Sequence, residues 1–267
     1  MAKASLMSGQ RKYRPKAAAV LAFLVALLAS SCLPFPRNQQ AAAEPAKSPG
    51  VPDSFGTGFF VSSKGHFLTS HHVVDGALRI WVVDAQKNER EARILAADRL
   101  RDLALCRVEL ESAGLLLDPG VMELAPGGEV FSIGFSDDES FEETPKTGFG
   151  RILGSEVRER DVRFYRTSAP IRIGNSGGPL ISARGEVIGV VKGGRWVRRR
   201  FWEIWRTWNL FDVVNYAVQS VHAFPIVESH VPAPDLPAGP LAPPGLSLPE
   251  LARLAGPSVV KVFVDLN

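Results

Sequence analysis

Three polar side chains follow one another along the sequence in motifs whose residue types could together cleave an acyl bond. The motifs are LTSHHVV at 68–74, DLAL at 102–105 and GNSGGP at 174–179. A serine hydroxyl is a weak nucleophile near neutral pH, so Ser176 needs a general base such as His72. The imidazole in turn needs a carboxylate on its other nitrogen, a role that suits Asp102. The three motifs therefore predict a nucleophilic Ser–His–Asp site.

The glycine-rich motif around Ser176 is the most specific of the three. Glycines close on both sides of the serine allow a tight turn that exposes its hydroxyl and aims backbone N–H groups at one point. Such donors can stabilise the oxyanion that forms when a carbonyl is attacked. We expect the N–H groups of Gly174 and Ser176 to form this oxyanion hole.

The histidines also permit a metal-centred interpretation, which the sequence disfavours. His66, His71 and His72 lie close together, but no acidic ligand set stands near them. Protein zinc sites usually combine histidine with cysteine or carboxylate ligands. We therefore predict neither a metal ion nor another cofactor.

Short β-rich runs separated by turn residues must position these motifs. One set lies between residues 57 and 110 and a second between residues 129 and 218, and helical periodicity is almost absent before residue 220. Many short strands at regular spacing predict an all-β barrel or sandwich. Two sets in succession favour two barrels.

The motifs together resemble the trypsin-like serine proteases of the chymotrypsin fold, in particular the bacterial HtrA/Deg branch. The resemblance covers residues 55–229 and is carried by 56–59, 69–74, 102–105, 134–135, 174–180 and 185–189. It implies two six-stranded antiparallel β-barrels with the catalytic residues between them, polypeptide substrates and an acyl-enzyme on Ser176. The rival interpretation is a catalytically idle binding or chaperone-like module that keeps the triad residues misaligned.

The resemblance also chooses between neighbouring candidates. The family places its histidine directly before two branched residues, which selects His72 over His71. It places its aspartate at the start of an apolar strand, which selects Asp102 over Asp98.

The primary substrate pocket is predicted by the same resemblance. The position six before the nucleophile helps to form the pocket floor and is Pro170, while Val190 and Val191 lie in the strand that should form one wall. We therefore expect an apolar side chain before the scissile bond.

One strand of the first barrel is missing from its expected place. The family has a Pro-Ser-Val-Val-like strand before the entry strand at 56–59, and that pattern occurs here only at 257–260. We expect a circular permutation in which the strand 258–264 completes the first barrel. The strand could pair within its own chain or in a neighbouring copy, which would make a homo-oligomer by strand exchange. An incomplete second module is the other alternative.

The sequence on either side of this strand also has recognisable features. A short helical stretch lies near residues 250–254, and the proline-rich residues 231–249 predict a stiff, extended and unpacked linker. Since only 38 residues follow position 229 in this sequence, we expect no PDZ module of the kind that HtrA relatives often carry.

The N-terminal residues have the composition of an export signal. The chain has 31 basic and 28 acidic residues, but five basic residues and no acid lie before position 32. The body therefore holds 26 basic and 28 acidic residues and gives no electrostatic reason to expect nucleic acid. Thirteen uncharged residues at 17–29 suit a signal-peptide core and are too few to span a bilayer.

The residues before Cys32 resemble a bacterial lipoprotein signal, so we expect a periplasmic protein that is anchored to the membrane by a lipidated Cys32. Simple cleavage and an uncleaved inner-membrane anchor are the alternatives. The predicted organisation is a signal at 1–32, a flexible tether at 33–54, a protease domain at 55–230, the linker at 231–249 and a strand segment at 250–267.

Tryptophan and arginine are concentrated in residues 195–211, which hold four of the five tryptophans. The segment follows the predicted pocket-wall strand. We expect a self-packed hairpin loop, with a substrate exosite or cleft lid and a membrane-interface patch as alternatives.

Overall fold

Six strands form a closed antiparallel barrel that holds the predicted histidine and aspartate. The computed structural model describes residues 52–84, 87–120, 124–136, 144–199 and 210–266. Barrel 1 has the strand order β1-β12-β3-β4-β5-β2. Its strands are β1 (Ser54–Phe60), β2 (His66–Thr69), β3 (Ala77–Val83), β4 (Glu89–Asp98), β5 (Leu103–Val108) and β12 (Val259–Leu266).

The second six-stranded barrel is built from consecutive strands. Barrel 2 has the order β10-β11-β8-β7-β6-β9, and all of its neighbouring strands are antiparallel. Its strands are β6 (Glu129–Gly134), β7 (Lys146–Arg158), β8 (Val162–Thr167), β9 (Pro179–Ser182), β10 (Val187–Arg199) and β11 (Leu210–Gln219). The predicted fold class, two six-stranded antiparallel barrels with a short C-terminal helix, is confirmed.

Buried apolar side chains form one cluster in each barrel and a larger one that joins them. The barrel 1 cluster includes Phe67, Cys106 and Val262, and the barrel 2 cluster includes Val130 and Leu180. The joint cluster draws side chains from the strands of both barrels. This shared core fixes the two barrels against each other, which a site between them requires. Burial raises the pKa of the Cys106 thiol to about 12, as expected for a packing residue.

The C-terminal strand takes the place between β1 and β3 that would otherwise be open. In β12, Val262 pairs with Gly56 of β1 on one side and with Val82 of β3 on the other. Helix α3 (Leu248–Ala255) leads into this strand. Its first turn is closed by a capping box, in which the N–H of Ser247 donates to the carboxylate of Glu250 at 2.8 Å.

The proline-rich segment 231–249 packs on the protein, which differs from the extended, unpacked linker expected from its composition. Val231 is buried, and Leu236 and Leu241 pack against the joint cluster. The carbonyl of Asp235 accepts the N–H of Ser63 at 2.8 Å. The prolines stiffen the segment, but the apolar residues between them bury enough surface to hold it against the barrels.

The other helices are short. Helix α1 (His71–Val74) follows β2, and helix α2 (Phe224–His230) follows β11. Within the part of the chain that the structure describes, no helix has the length and apolar character needed to cross a membrane. The predictions for the signal, Cys32, most of the tether and loop residues 200–209 lie outside the described residues. The hairpin leading to that loop is present, with Arg199 pairing with Leu210.

Candidate active site

Helix α1 aims His72 at Asp102. The helix has only one turn, and burial of Val73 and Val74 fixes which of its faces points into the molecule. The Nδ1 atom of His72 lies 2.8 Å from Oδ2 of Asp102. The other predicted candidate, His71, instead has its Nε2 atom 3.8 Å from Asp75.

Asp102 is held rigidly by its backbone and by two hydrogen bonds from His72. Its φ of 59° lies in the left-handed region, which aspartate tolerates better than most residues. Its Oδ1 atom accepts the backbone N–H of His72 at 2.9 Å, so one carboxylate positions both the main chain and the ring of the histidine. Burial by itself would raise the pKa of Asp102, but the hydrogen bonds and charge of His72 and the charge of Lys192 lower it below its ordinary value. The carboxylate is therefore ionised at neutral pH.

The competing aspartate stabilises the turn that presents Asp102. Asp98 accepts the backbone N–H of Arg101 at 3.0 Å and pairs with the Arg101 guanidinium at 2.6 Å. Asp98 therefore has a partner of its own in the turn between β4 and β5, and the structure brings Asp102 against the imidazole.

The Ser176 loop is fastened to barrel 1 close to the start of α1. Thr57 of β1 donates its backbone N–H to the carbonyl of Ser176 at 2.9 Å and its hydroxyl to the carbonyl of Gly174 at 2.7 Å. A Cβ atom on Gly177 would lie 2.8 Å from the backbone nitrogen of Ser70, the N-cap residue of α1. This close approach requires a glycine and sets the serine loop beside the histidine helix.

Asn175 stabilises the turn from the inside. Its side-chain amide donates to the carbonyl of Phe135 at 2.9 Å, and its Oδ1 atom accepts the N–H of Arg172 at 2.7 Å. The φ of Gly174 is +90°, which an L side chain rarely adopts. Among the described residues, neither the N–H of Gly174 nor that of Ser176 donates a hydrogen bond within the chain. Both donors are thus available to a ligand, as the oxyanion-hole prediction requires.

The Ser176 hydroxyl makes a long contact that is not to the histidine. Its Oγ atom lies 3.4 Å from the carbonyl of Lys192, and no hydrogen bond joins it to His72 within the described parts of the chain. Catalytic hydrogen bonds are often long in structures without substrate and shorten when it binds. The geometry therefore fits a nucleophile that is held loosely until a substrate arrives.

The predicted pocket residues have unequal exposure. Pro170 is exposed, whereas Val190 is 1% exposed and Val191 is fully buried, so neither valine side chain forms an open surface. Val191 acts through its backbone, since its carbonyl accepts the N–H of Gly177 at 2.8 Å. The expected apolar preference therefore stays a prediction, and Pro170 is the exposed one of its three residues.

Two residues of the site were absent from the predicted set. Thr57 fastens the serine loop, and its place in the Gly-Thr-Gly-Phe run was the available signal. Lys192 places its Nζ atom 3.4 Å from Oδ2 of Asp102. Its position in the sequence, directly after Val190 and Val191, gave no indication of this contact.

Two closed antiparallel barrels with a paired histidine and aspartate beside a glycine-rich serine loop define a chymotrypsin-like serine peptidase fold. The family described as the trypsin-like peptidase domain matches residues 56–190, about half of the chain. The chain belongs to the trypsin-like peptidase family.

The relatives include members of the HtrA branch, as the motifs predicted. Protein y4bJ of Sinorhizobium fredii is 37% identical over 161 residues, which cover 58% of this chain and 25% of that protein. A probable periplasmic serine endoprotease, DegP-like, of Hahella chejuensis is 37% identical over 145 residues, covering 54% of this chain and 30% of the relative. The chain therefore spans only about a quarter to a third of these curated relatives.

The solved structures support the fold. The serine endoprotease from Yersinia pestis superposes with a TM-score of 0.54 at 22% identity, covering 71% of this chain and 61% of that one. The HtrA-type protease AlgW with a decapeptide gives a TM-score of 0.52 at 24% identity, covering 65% of this chain and 50% of that one.

Proposed function

We propose that this protein is a serine endopeptidase that cleaves polypeptides through an acyl-enzyme on Ser176. The observation that carries the proposal is the bond from His72 Nδ1 to Asp102, which leaves the opposite ring nitrogen to serve as the base. His72 takes the Ser176 proton as Oγ bonds to the scissile carbonyl carbon. The N–H groups of Gly174 and Ser176 stabilise the resulting oxyanion. His72 then protonates the leaving amine as the C–N bond breaks, and water hydrolyses the ester.

Covalent labelling with a fluorophosphonate tests this proposal directly. The reagent phosphonylates a serine only when a working base activates it, so we expect one adduct on the peptide that contains Ser176. Ser176→Ala should abolish the adduct, and His72→Ala should reduce its rate by several orders of magnitude. Equal labelling of wild type and Ser176→Ala would refute the assignment.

The second candidate is a catalytically idle binding module, favoured by the contact of the Ser176 hydroxyl with the Lys192 carbonyl. In that case unfolded casein would bind without being cut, and the fluorophosphonate would leave Ser176 unmodified at every pH. Cleavage of casein that is lost in Ser176→Ala would exclude this candidate.

We further propose export to the periplasm with a lipid anchor on Cys32 and a role in protein quality control or processing. The support is the signal-like leader together with relatives that are named as periplasmic endoproteases. Metabolic labelling with palmitate should mark the wild type and the Cys106→Ala control but not Cys32→Ala. Equal label on all three would contradict lipidation at Cys32, and an uncleaved leader would favour the membrane-anchor alternative.

The pairing of β12 within its own chain is also our proposal for the protein in solution. The segment leading to β12 packs on the same chain through Val231, Leu236 and Leu241, which favours intramolecular closure. A monomeric mass by light scattering at micromolar concentration is expected. A stable dimer that dissociates when residues 231–267 are removed would instead show strand exchange.

A further inference from the structure

Lys192 touches both sides of the catalytic machinery from a single position in β10. Its carbonyl faces the Ser176 hydroxyl at 3.4 Å, and its ammonium Nζ lies 3.4 Å from Oδ2 of Asp102. Oδ2 is the same oxygen that lies 2.8 Å from Nδ1 of His72. The aspartate therefore shares its charge between an imidazole and an ammonium group.

A β-bulge explains why this side chain reaches the aspartate. In the pairing of β10 with β11, Val191 opposes Ala217 and Gly193 opposes Tyr216, which leaves Lys192 as the extra residue. A bulge re-aims the side chain of its extra residue and is frequent beside active sites. Here it turns Lys192 out of the regular alternation of the strand. The Nζ atom also lies 5.8 Å from the centre of the Phe164 ring, a second favourable contact for the cation.

Most other charged groups around the pair already have partners of their own. His71 of α1 faces Asp75, which follows the helix, and Arg101 is paired with Asp98 in the turn before Asp102. On β12, Lys261 stacks over aromatic rings. In the described part of the chain, two basic side chains thus lie against the Asp102 carboxylate, Lys192 and His72.

The charge of Lys192 opposes the step in which His72 gains a proton. Asp102 attracts the imidazolium, and an ammonium on the same carboxylate weakens that attraction and repels the imidazolium. The neutral ring, which is the form that acts as base, then persists to lower pH. The same effect makes the ring a weaker base once it is neutral.

We infer that Lys192 is a positioning residue that acts through Asp102 and extends the working range of the His72 base to more acidic pH. This inference rests on the proposed peptidase function. It assigns to Lys192 an effect on the pH dependence of the reaction, separate from any effect on folding.

The test is the pH dependence, between pH 5 and 9, of the rate constant for fluorophosphonate labelling of Ser176. Lys192→Met should move the midpoint of the acid limb upward by about 0.5 to 1 pH unit, because the lysine is partly exposed and its charge is screened. At pH 5.5 this corresponds to a roughly threefold to tenfold slower reaction, since the neutral fraction falls tenfold per unit. Lys192→Arg keeps the charge and should keep the wild-type midpoint.

A matched control is Lys64→Met, which removes a half-exposed lysine that pairs with Glu111 at 3.1 Å in the turn between β1 and β2. It should leave the pH profile unchanged. An unmoved midpoint in Lys192→Met, or an equal shift in Lys192→Arg, would overturn the inference. If the wild type is not labelled at all, the proposed function fails, and the His72 ring signals followed by NMR still decide whether Lys192→Met moves the titration.

Discussion

Both barrels have six strands around a buried apolar cluster, but the chain builds them in different ways. Barrel 2 uses six strands that follow one another from β6 to β11, and it carries the Ser176 loop between β8 and β9. Barrel 1 carries His72 and Asp102, and its sixth strand arrives from the far end of the sequence. Barrel 2, which carries the nucleophile, thus closes through strands that are consecutive in sequence, whereas barrel 1, which carries the base, closes through a long-range pairing.

This difference has an energetic consequence. Bringing β12 beside β1 closes a loop of well over a hundred residues, and the entropy cost of closure rises only slowly with loop length. Packing of Val231, Leu236 and Leu241 against the joint cluster offsets part of that cost. The proline-rich segment 231–249 therefore packs against the protein and positions β12 beside β1.

The largest expected effect concerns the barrel 1 half of the site. Asp102→Asn should lower kcat by about 10⁴-fold, because an amide cannot hold the correct tautomer of His72 or stabilise its imidazolium. Steady-state cleavage of a peptide substrate measures this loss. Asp98→Asn is the control, since Asp98 bonds Arg101 in the adjacent turn and should cost far less. Equal losses in the two variants would assign the effect to the turn.

The next largest effect concerns the half of the site that barrel 2 carries. In Gly174→Ala, the new Cβ would lie 2.6 Å from the ring of Phe55 at a φ of +90°, so the oxyanion donors must move. We expect a loss of about 10²–10³-fold in kcat, the range for removal of one such donor. Gly76→Ala is the control, because its φ of +73° is also positive but nothing lies within 4 Å of its Cβ. A similar loss in the control would point to strain alone.

A third prediction compares the two barrels by stability. Val262→Ala in β12 and Val130→Ala in β6 each remove two methyl groups from a fully buried side chain and should each cost about 2 kcal/mol of unfolding free energy. Urea unfolding measures the loss of unfolding free energy, and hydrogen exchange shows which strands are destabilised. Val262→Ala should speed exchange in β1 and β3, and Val130→Ala in β7 and β9. Identical exchange patterns would show that the barrels open as one unit.

Much of the fold could be predicted because its signals are local. Strand length, alternation and turn residues predicted both sets of strands, and the Pro-Ser-Val-Val run at 257–260 predicted the strand that became β12. The packing of 231–249 was missed because prolines dominate its composition while its few apolar residues follow no period.

The candidate site likewise contains residues that the sequence predicted and contacts that it did not predict. The three motifs and the family resemblance that they carry indicated His72 and Asp102, and the paired geometry of these two residues agrees with that prediction. The contact of Lys192 with Asp102 depends on a bulge, which is a property of strand register and has no sequence signal of its own. Val190 is likewise buried in the cluster that joins the two barrels, which is a property of tertiary packing.

The smallest predicted effect is on stability and concerns His222, which contacts residues of both barrels. The guanidinium of Arg101, next to Asp102, donates to Nδ1 of this ring at 3.2 Å, and the backbone N–H of Arg163 in β8 faces Nε2 at 2.8 Å. A neutral imidazole can accept a hydrogen bond at only one of its two nitrogens, and a second proton on the ring would face a donor, so protonation of the neutral ring is disfavoured. Burial first, and then the charges of Arg101 and Arg163, lower the pKa of His222 below 6.5, while Asp98 acts weakly in the opposite direction.

The seam between the barrels should therefore weaken in acid. The unfolded chain binds the His222 proton at higher pH than the folded protein does, so the stability from this group is present above pH 6.5 and is lost as the pH falls below it. One proton changes the unfolding free energy by at most about 1.4 kcal/mol per pH unit, and by less for a partly buried ring. Urea midpoints at pH 8 and pH 5.5 should show the advantage of wild type over His222→Gln shrinking in acid. His66 also has a lowered pKa because it is buried, but it titrates in both proteins and cancels in the difference. An advantage that stays constant with pH would show that His222 does not couple the barrels to protonation.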